Sequence, residues 1–465
     1  MGNTRTSPQY STHNHGDRGL RGLLWVHPEL RLDPLPEGTI LIGRGSDARI
    51  RLSGDQVSRR HATLRVTKTS IVLRDEGSLN KARCNQVALP ECQLSDNDVL
   101  RIGDWVGIVI EGLDDGAFTG DPFATTREGI VVGPRSRGLW ETLARVATQP
   151  LPIVIEGETG TGKEVIARAI HEHSGRSGRF VPVNCAAQPE GLFESTFFGH
   201  TAGAFTGAAR AADGLFVAAH GGTLFLDELI ELNPAQQAKA LRAVEERKVT
   251  PVGSTHARAV DVRLVSAAQR GLSLVVDEGR FRADLYARLN GLTLRLQPLR
   301  SRREEILPLF VQAMKQEGAS APNLAAGFVE QLCTHPFHLN VRELMVAAKR
   351  CNALHGAAPV LTREHLASVL DRSTGVSLNP ATPDSDEPEA FDAEAALGKR
   401  SAAWLQRNQA KLGRLEKALD ESDQNLSEAA RKVGISRHQA QRLIQAAARL
   451  REGAPLEASD GPQKR

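Results

Sequence analysis

The sequence predicts a multidomain chain in three parts: a β-sandwich, then an α/β P-loop domain, then an all-α helix-turn-helix. Three observations carry this. Short alternating apolar runs separated by polar turns fill residues 23–111, as half-buried strands do. The stretch Ile153-Val154-Ile155-Glu156-Gly157-Glu158-Thr159-Gly160-Thr161-Gly162-Lys163-Glu164 runs an apolar strand into a glycine loop and then a helix. Residues 399–451 hold 12 Lys/Arg against 5 Asp/Glu and space their apolar residues as a helix does.

Length and composition bound the answer. The 465 residues suggest about three domains, and 40% hydrophobic residues suffice for real cores. A net charge of +3 is too small for a basic protein overall, so any nucleic-acid binding must be local. The five cysteines are scattered without CxxC spacing, which argues for a reducing compartment and against a zinc site. No apolar run is long enough to span a bilayer, so a cytoplasmic location without membrane contact is expected. Residues 1–22 are polar and read as a disordered tail.

In the sandwich, Thr39–Ile42, Ala62–Val66, Ser70–Leu73 and Val106–Ile110 are the expected strands. Polar groups follow at Gly43-Arg44-Gly45-Ser46, Ser58-Arg59-Arg60-His61 and Ser78-Leu79-Asn80. Loops at one end of a sandwich bring such groups together, and a guanidinium fork, a hydroxyl and an amide suit a phosphate beside a peptide backbone. These residues, in this order, resemble a forkhead-associated domain, a phosphothreonine reader. The resemblance implies that Arg44 and Ser58 hold the phosphate, Arg59 assists, His61 braces the loop and Asn80 holds the peptide main chain. Lys81 stands where glycine is usual, which puts the turn in question.

Residues 112–128 read as a linker. It contains Gly116-Ala117-Phe118-Thr119-Gly120, letters that recur at Gly203–Gly207. In the P-loop, backbone N–H groups from Gly157 to Gly162 would cradle phosphates, and Lys163 would reach the outermost ones. Glu164 stands where Ser or Thr usually ligates Mg²⁺. Helix Val165–His173 and strand Phe180–Cys185 are expected next. Gly221-Gly222-Thr223-Leu224-Phe225-Leu226-Asp227-Glu228 then supplies a buried strand ending in two carboxylates, as ATP hydrolysis requires: Asp227 for Mg²⁺ and Glu228 to polarise water. Between them, Phe205 is flanked by glycines and small residues, an aromatic suited to a loop tip that meets a partner.

Residues 129–370 closely resemble the AAA+ domain of bacterial enhancer-binding proteins, the ATP-dependent activators of sigma-54 RNA polymerase. The family's P-loop ends in Lys-Glu, as here. By the resemblance, Gly203, Ala204, Phe205, Thr206, Gly207 and Ala208 contact sigma-54, whereas the copy at Gly116 is coincidental. Asn184 restrains Glu228, Arg282 and Arg288 are arginine fingers acting on a neighbour in a homo-oligomeric ring, a hexamer, and Arg342 is the nucleotide sensor of a helical lid from about residue 300. Two departures stand out. Ala268-Gln269 replaces Thr-Asn, and Leu339 and Phe337 replace glycine and tryptophan, so slower or differently coupled hydrolysis is expected.

Residues 371–392 form a linker rich in Pro, Ser, Asp and Glu. In 393–451, Ala430 permits a close crossing, Gly434 turns the chain and Ser436 caps a helix that offers Arg437, His438, Gln439, Gln441 and Arg442 to a major groove. This resembles the Fis-type helix-turn-helix of the same activators; residues 452–465 are a tail. The combined expectation is an enhancer-bound activator, controlled by a phosphothreonine-bearing partner, that uses ATP and Mg²⁺ to remodel sigma-54 polymerase in the bacterial nucleoid. Two other readings stay open: a phosphopeptide-controlled DNA-binding adaptor using nucleotide only for assembly, and an AAA+ remodeller of another target.

Overall fold

The computed structural model describes residues 20–370, except 114, 119–120, 127–128 and 319–322, together with 415, 417 and 418. Arg437, His438, Gln439, Gln441 and Arg442, the residues expected to read DNA, lie outside the described residues. Met1–Gly375 forms one unit that contains both the sandwich and the nucleotide domain. No helix among the described residues is long and apolar enough to cross a membrane.

The sandwich has two sheets. One runs in the order Arg31–Pro34, Leu20–His27, Trp105–Leu113, Val99–Ile102, Arg83–Cys84, Val87–Ala88; the other runs Ile50–Arg51, Gly38–Gly43, Ala62–Val66, Ile71–Asp75, Glu91–Leu94. Side chains alternate across each strand, so Leu23 and Trp25 point inward against Ile40, Ile42, Leu64 and Trp105. The first strand starts at Leu20, inside the stretch expected to be a tail.

The alternate face of the first sheet is also apolar. Leu24, Val26, Val99, Val106, Ile108 and Ile110 join one buried cluster with Ile306, Phe310, Met314, Phe328 and Val329 of the lid. The expected linker is part of this packing. The strand Trp105–Leu113 runs into it, Ala117 is buried in the same cluster with Phe118 and Phe123 against it, and Ala124–Thr125 pairs with Val131–Val132. A flexible connector between independent domains is therefore not what the chain builds here, because the apolar residues at 113, 117, 118 and 123 find cover against sheet and helix.

The nucleotide domain is a sheet of five parallel strands in the order Phe180–Asn184, Thr223–Asp227, Arg263–Ala268, Ile153–Glu156, Leu292–Arg295. The second to fourth are buried along nearly their whole length, which matches their mostly apolar sequence, with Thr223, Arg263 and Ser266 buried among them. The strand order steps from Thr223–Asp227 across Arg263–Ala268 to Ile153–Glu156 and places their C-terminal ends side by side, where open α/β sheets bind ligands. The lid helices are Ile306–Gln316, Ala326–Thr334, Asn340–His355 and Arg363–Leu370. Ile306, Phe310, Ala313 and Met314 recur at helical spacing on the buried face of the first.

Candidate active site

Strand Ile153–Glu156 delivers the glycine loop, and helix Lys163–His173 begins immediately after it. Gly162 caps that helix with φ 102°, a left-handed conformation that glycine adopts without penalty. Gly160 is required for a different reason: a Cβ there would lie 2.1 Å from the Leu339 carbonyl oxygen, so the lid backbone rests directly on the loop. Asn340, fully buried, donates from Nδ2 to Thr159 O at 3.0 Å and to Glu158 Oε2 at 3.2 Å while its Oδ1 accepts Leu299 N–H at 2.8 Å. Arg300 adds a bidentate pair to Glu158, at 2.7 and 2.5 Å. The double donation from Arg300 holds the Glu158 carboxyl below its ordinary range, against burial and with help from Asn340.

Lys163 is buried and folds back on the loop, its Nζ donating to Gly157 O at 3.0 Å and Glu158 O at 3.2 Å. Burial lowers its pKa, Glu228 and Asp227 oppose the shift, and Arg342 adds to it. Asp227 is pushed up by burial and then by the charge of Glu228, with Lys163 acting the other way. Lys163, Asp227, Glu228 and Arg342 therefore share one electrostatic environment. Glu164 is on the first helical turn and pairs with Arg168 at 3.3 Å, facing out.

A cavity of 590 Å³ opens beside Thr161 and Gly162, with Ile130, Val131, Leu309 and Met345 among its apolar walls. The sequence reading missed this wall, although the apolar run Ile130-Val131-Val132 stood at the start of the domain. Arg342 is exposed next to Gly160, its Cβ 3.0 Å from where a Cβ of Gly160 would stand. Of the two departures in this lid segment, Leu339 is accommodated without strain, whereas Phe337 takes a left-handed φ of 42°. Leu339 has φ −100°, which needs no glycine, and Phe337 is fully buried in the lid core.

Asn184 makes a local contact in this structure. Its Oδ1 accepts the Ala186 N–H at 2.9 Å and caps the short turn Cys185–Ala187. The Glu228 carboxylate instead accepts a hydrogen bond from Gln269 Nε2 at 2.9 Å. Arg282 and Arg288 are on the surface, paired with Asp284 at 2.7 Å and Glu245 at 3.0 Å. Neither lines the cavity beside the P-loop of its own chain.

The Phe205 loop leaves the hairpin Gly199–His200 and Ala212–Asp213. Gly203 and Gly207 take φ of 77° and 100°, Gly203 N–H donates to Ala208 O at 2.8 Å, and Phe205 is 40% exposed, with the His200 ring 5.0 Å away. Ala208 is buried.

At the far end of the sandwich, Arg44 N–H donates to Ser58 O, Ser58 Oγ accepts Leu79 N–H at 3.3 Å, and Asn80 Nδ2 donates to Gln56 O at 2.9 Å. Buried His61 accepts the Ser58 N–H at 3.0 Å and braces the loop from inside. Arg44 and Arg59 are exposed, with no side-chain partner among the described residues. Lys81 takes φ 50°, so the turn expected to need glycine forms with lysine.

Residues 130–295 match the Sigma-54 interaction domain and residues 40–103 match the FHA domain. Transcriptional regulatory protein ZraR of Klebsiella oxytoca is 40% identical over 309 residues, 65% of this chain and 65% of that protein. Response regulator protein PilR of Pseudomonas aeruginosa is 46% identical over 226 residues, 48% of this chain and 51% of that protein. ZraR of Salmonella typhimurium is 38% identical over 323 residues, covering 68% of each. The chain belongs to the sigma-54-dependent transcriptional activator family. Its Sigma-54 interaction domain is of AAA+ ATPase type, and an FHA domain precedes it. The chain spans half to two thirds of the length of these curated relatives. A solved structure of NtrX from Brucella abortus in complex with ATP is 28% identical, covering 67% of each chain with a TM-score of 0.46.

Proposed function

We propose that this activator hydrolyses ATP and uses the cycle to remodel sigma-54 RNA polymerase at promoters, under control of a phosphothreonine-bearing protein read by its FHA domain. The observation that carries the reading is that Lys163 folds on the glycine loop, Arg342 sits against Gly160 of it, and Asp227 and Glu228 act on the Lys163 charge, beside a cavity with apolar and charged walls. Loop N–H groups bind phosphate oxygens and Lys163 turns from the loop carbonyls to the outer phosphates. Glu228 takes a proton from water aligned on the γ-phosphate.

Asp227 suits a divalent cation, because burial and the adjacent Glu228 carboxylate raise its pKa and a cation would relieve both. Bound Mg²⁺ supplies charge neutralisation to the phosphates; one carboxylate with phosphates and water is the usual way such an ion is held. Arg282 and Arg288, exposed and paired with Asp284 and Glu245 in this chain, would exchange those partners for the γ-phosphate of a neighbour in a ring. The exposed Phe205 is the contact offered to sigma-54, through Gly203–Ala208. Arg44, Ser58, Arg59 and Asn80 hold the phosphopeptide, and Arg437, His438, Gln439, Gln441 and Arg442 read enhancer DNA from the nucleoid-associated protein.

The test is open-complex formation by the purified chain with sigma-54 holoenzyme, ATP and a matching promoter. Activity that depends on ATP and disappears in Lys163→Ala and Glu228→Gln supports the reading. ATP-independent DNA binding with no turnover at any protein concentration favours the adaptor reading instead.

A further inference from the structure

Glu330 is buried on the lid helix Ala326–Thr334, and both guanidinium groups paired with it come from the sandwich. Arg101 Nη1 donates to Glu330 Oε2 at 3.2 Å. Arg83 Nε lies 3.6 Å from Glu330 Oε1. This second contact is an ion pair without a hydrogen bond: Arg83 Nε and Glu330 Oε1 are both buried, and neither has a hydrogen-bond partner among the described residues. A buried carboxylate gains from its counter-charge only when its oxygens are also hydrogen-bonded. The joint is therefore half made, and a second arrangement is close by, in which Arg83 advances by roughly 0.7 Å and completes the bond.

Both arginines lead back to the loop expected to hold a phosphopeptide. Arg83 follows Ala82, whose N–H donates to Asp75 Oδ2 at 2.7 Å; the same carboxyl group accepts Ser78 N–H at 2.9 Å and the Ser78 hydroxyl at 2.6 Å. Residues 78–83 are thus one frame hung on Asp75, with Asn80 in its turn and Arg83 at its exit. The other line runs through Gln56. Asn80 Nδ2 donates to Gln56 O at 2.9 Å, and Gly103 lies so close that a Cβ on it would stand 2.7 Å from the same oxygen. The Gly103 carbonyl in turn accepts Arg101 Nε at 2.9 Å. Gln86, just beyond Arg83, adds to the grip on the lid, donating to Thr334 Oγ1 at 2.6 Å and accepting from Arg363 Nη2 at 2.9 Å.

We propose that the sandwich acts on the lid through Glu330. A phosphopeptide that takes the Asn80 amide from Gln56 O frees the 78–83 frame to shift, Arg83 closes on Glu330 Oε1, and the lid is held more firmly on the P-loop. The far end of the lid is already in contact with that loop, through Asn340 on Thr159 O and the Leu339 carbonyl beside Gly160. Peptide and nucleotide are then joined by one coupling free energy, which acts equally in both directions. The inference rests on the phosphothreonine and nucleotide readings above, and its test fails separately from theirs.

A phosphothreonine peptide is selected from a degenerate phosphothreonine library on the full chain. Its dissociation constant is measured with and without ATPγS, and that of ATPγS with and without the peptide. In wild type each ligand tightens the other by the same factor, about five-fold or more, and the peptide slows hydrogen exchange across 326–334. Glu330→Gln keeps the shape of the side chain and removes its charge; each ligand still binds alone, while the factor falls to about one. Arg83→Met, a change at a partly exposed side chain that leaves the lid core intact, gives the same loss and decides the matter if Glu330→Gln does not fold. A wild-type chain that selects no phosphothreonine peptide overturns the phosphothreonine reading and this one with it. One that binds the peptide but no nucleotide overturns the ATPase reading and this one. Binding of both ligands to wild type with a factor of one or less overturns the Glu330 assignment alone, as does a factor that persists in Arg83→Met or in folded Glu330→Gln.

Discussion

Asn97 donates its side-chain amide to the backbone carbonyl of Arg300 at 2.6 Å, joining the base of the sandwich to the segment that grips the P-loop. Arg303 returns the contact, donating N–H to Asn97 Oδ1 at 3.2 Å and Nη1 to Asn97 O at 3.1 Å. A second bridge runs through Arg135, which reaches Asp96 at 2.5 Å and the buried Glu304 at 2.6 Å. Asn97 has φ 71°, so alanine there would add backbone strain to the loss of the amide, whereas Asn97→Gly removes the amide alone. Loss of these bonds is expected to loosen the 299–305 segment. Hydrogen exchange should rise there and in the 157–162 loop in Asn97→Gly; a rise confined to the sandwich would disconnect the two.

The sandwich and lid should also unfold as one body. Ile108 is fully buried in the cluster they share. A carboxylate placed there has no partner and costs several kcal/mol, in line with unpaired buried charges. Ile108→Asp is expected to split a single calorimetric transition into two, the sandwich surviving on its interior core around Trp25 and Trp105. A single transition merely shifted to lower temperature would mean that the face is not the main tie.

This interface is present in the sequence, behind what looks like ordinary alternation. Leu23-Leu24-Trp25-Val26 and Val106 with Ile108-Val109-Ile110 are apolar on both faces, the mark of a sheet covered on both sides. The individual strands, the P-loop and the acidic strand were legible because each is specified by residues close in sequence. Gln269 on Glu228 and Asn340 under the P-loop were not, because a hydrogen bond between residues 41 apart, or 181 apart, depends on how strands and lid are stacked. Lys81 and Leu339 looked like faults only because the expected glycine was taken as a need. Lysine tolerates the φ it is given, and leucine meets no positive φ at all.

The pairing of Glu158 with Arg300 carries a pH dependence. The Arg300 hydrogen bonds, with burial opposing and Asn340 assisting, depress the folded-state pKa of Glu158. Such a carboxylate contributes stability that is present above its unfolded value, about 4.3, and is lost as pH falls through the folded value. Arg300→Ala should therefore be less stable than wild type at neutral pH, with the gap narrowing below pH about 4.3. Urea denaturation at pH 7 and pH 3 reads this directly; a gap that is the same at both shows that the pair contributes nothing.

At the opposite end of the sandwich, Arg44 and Arg59 are exposed without side-chain partners among the described residues, and the Ser58 hydroxyl accepts the N–H of Leu79, the residue before Asn80. A hydrogen bond to a charged group is worth about 1.5–3 kcal/mol, so Arg44→Ala should weaken a phosphothreonine peptide by about ten-fold or more and leave the unmodified peptide unaffected. Lys81→Gly should leave the affinity unchanged, because lysine already holds the turn. Titration of both peptides on both variants decides it, and equal binding of the two peptides to wild type would remove the phosphate from the account.

Phe205 separates hydrolysis from its use. It is 40% exposed on a turn held by backbone bonds from Gly203 and Ala208, and its ring meets that of His200. Truncating it removes an aromatic surface without opening a core, since the buried aromatics of this region, Phe193, Phe197 and Phe216, pack elsewhere. Phe205→Ala should keep ATP turnover within about two-fold of wild type while open complexes disappear, if the loop is the contact with polymerase proposed above. Gly207→Ala should impair open complexes as well, by forcing a side chain into φ 100° and distorting the same turn. If Phe205→Ala opened promoters as well as wild type, another surface would have to deliver the force, and the hairpin would be left as a brace for Val252, whose backbone bonds to Gly199 and Thr201.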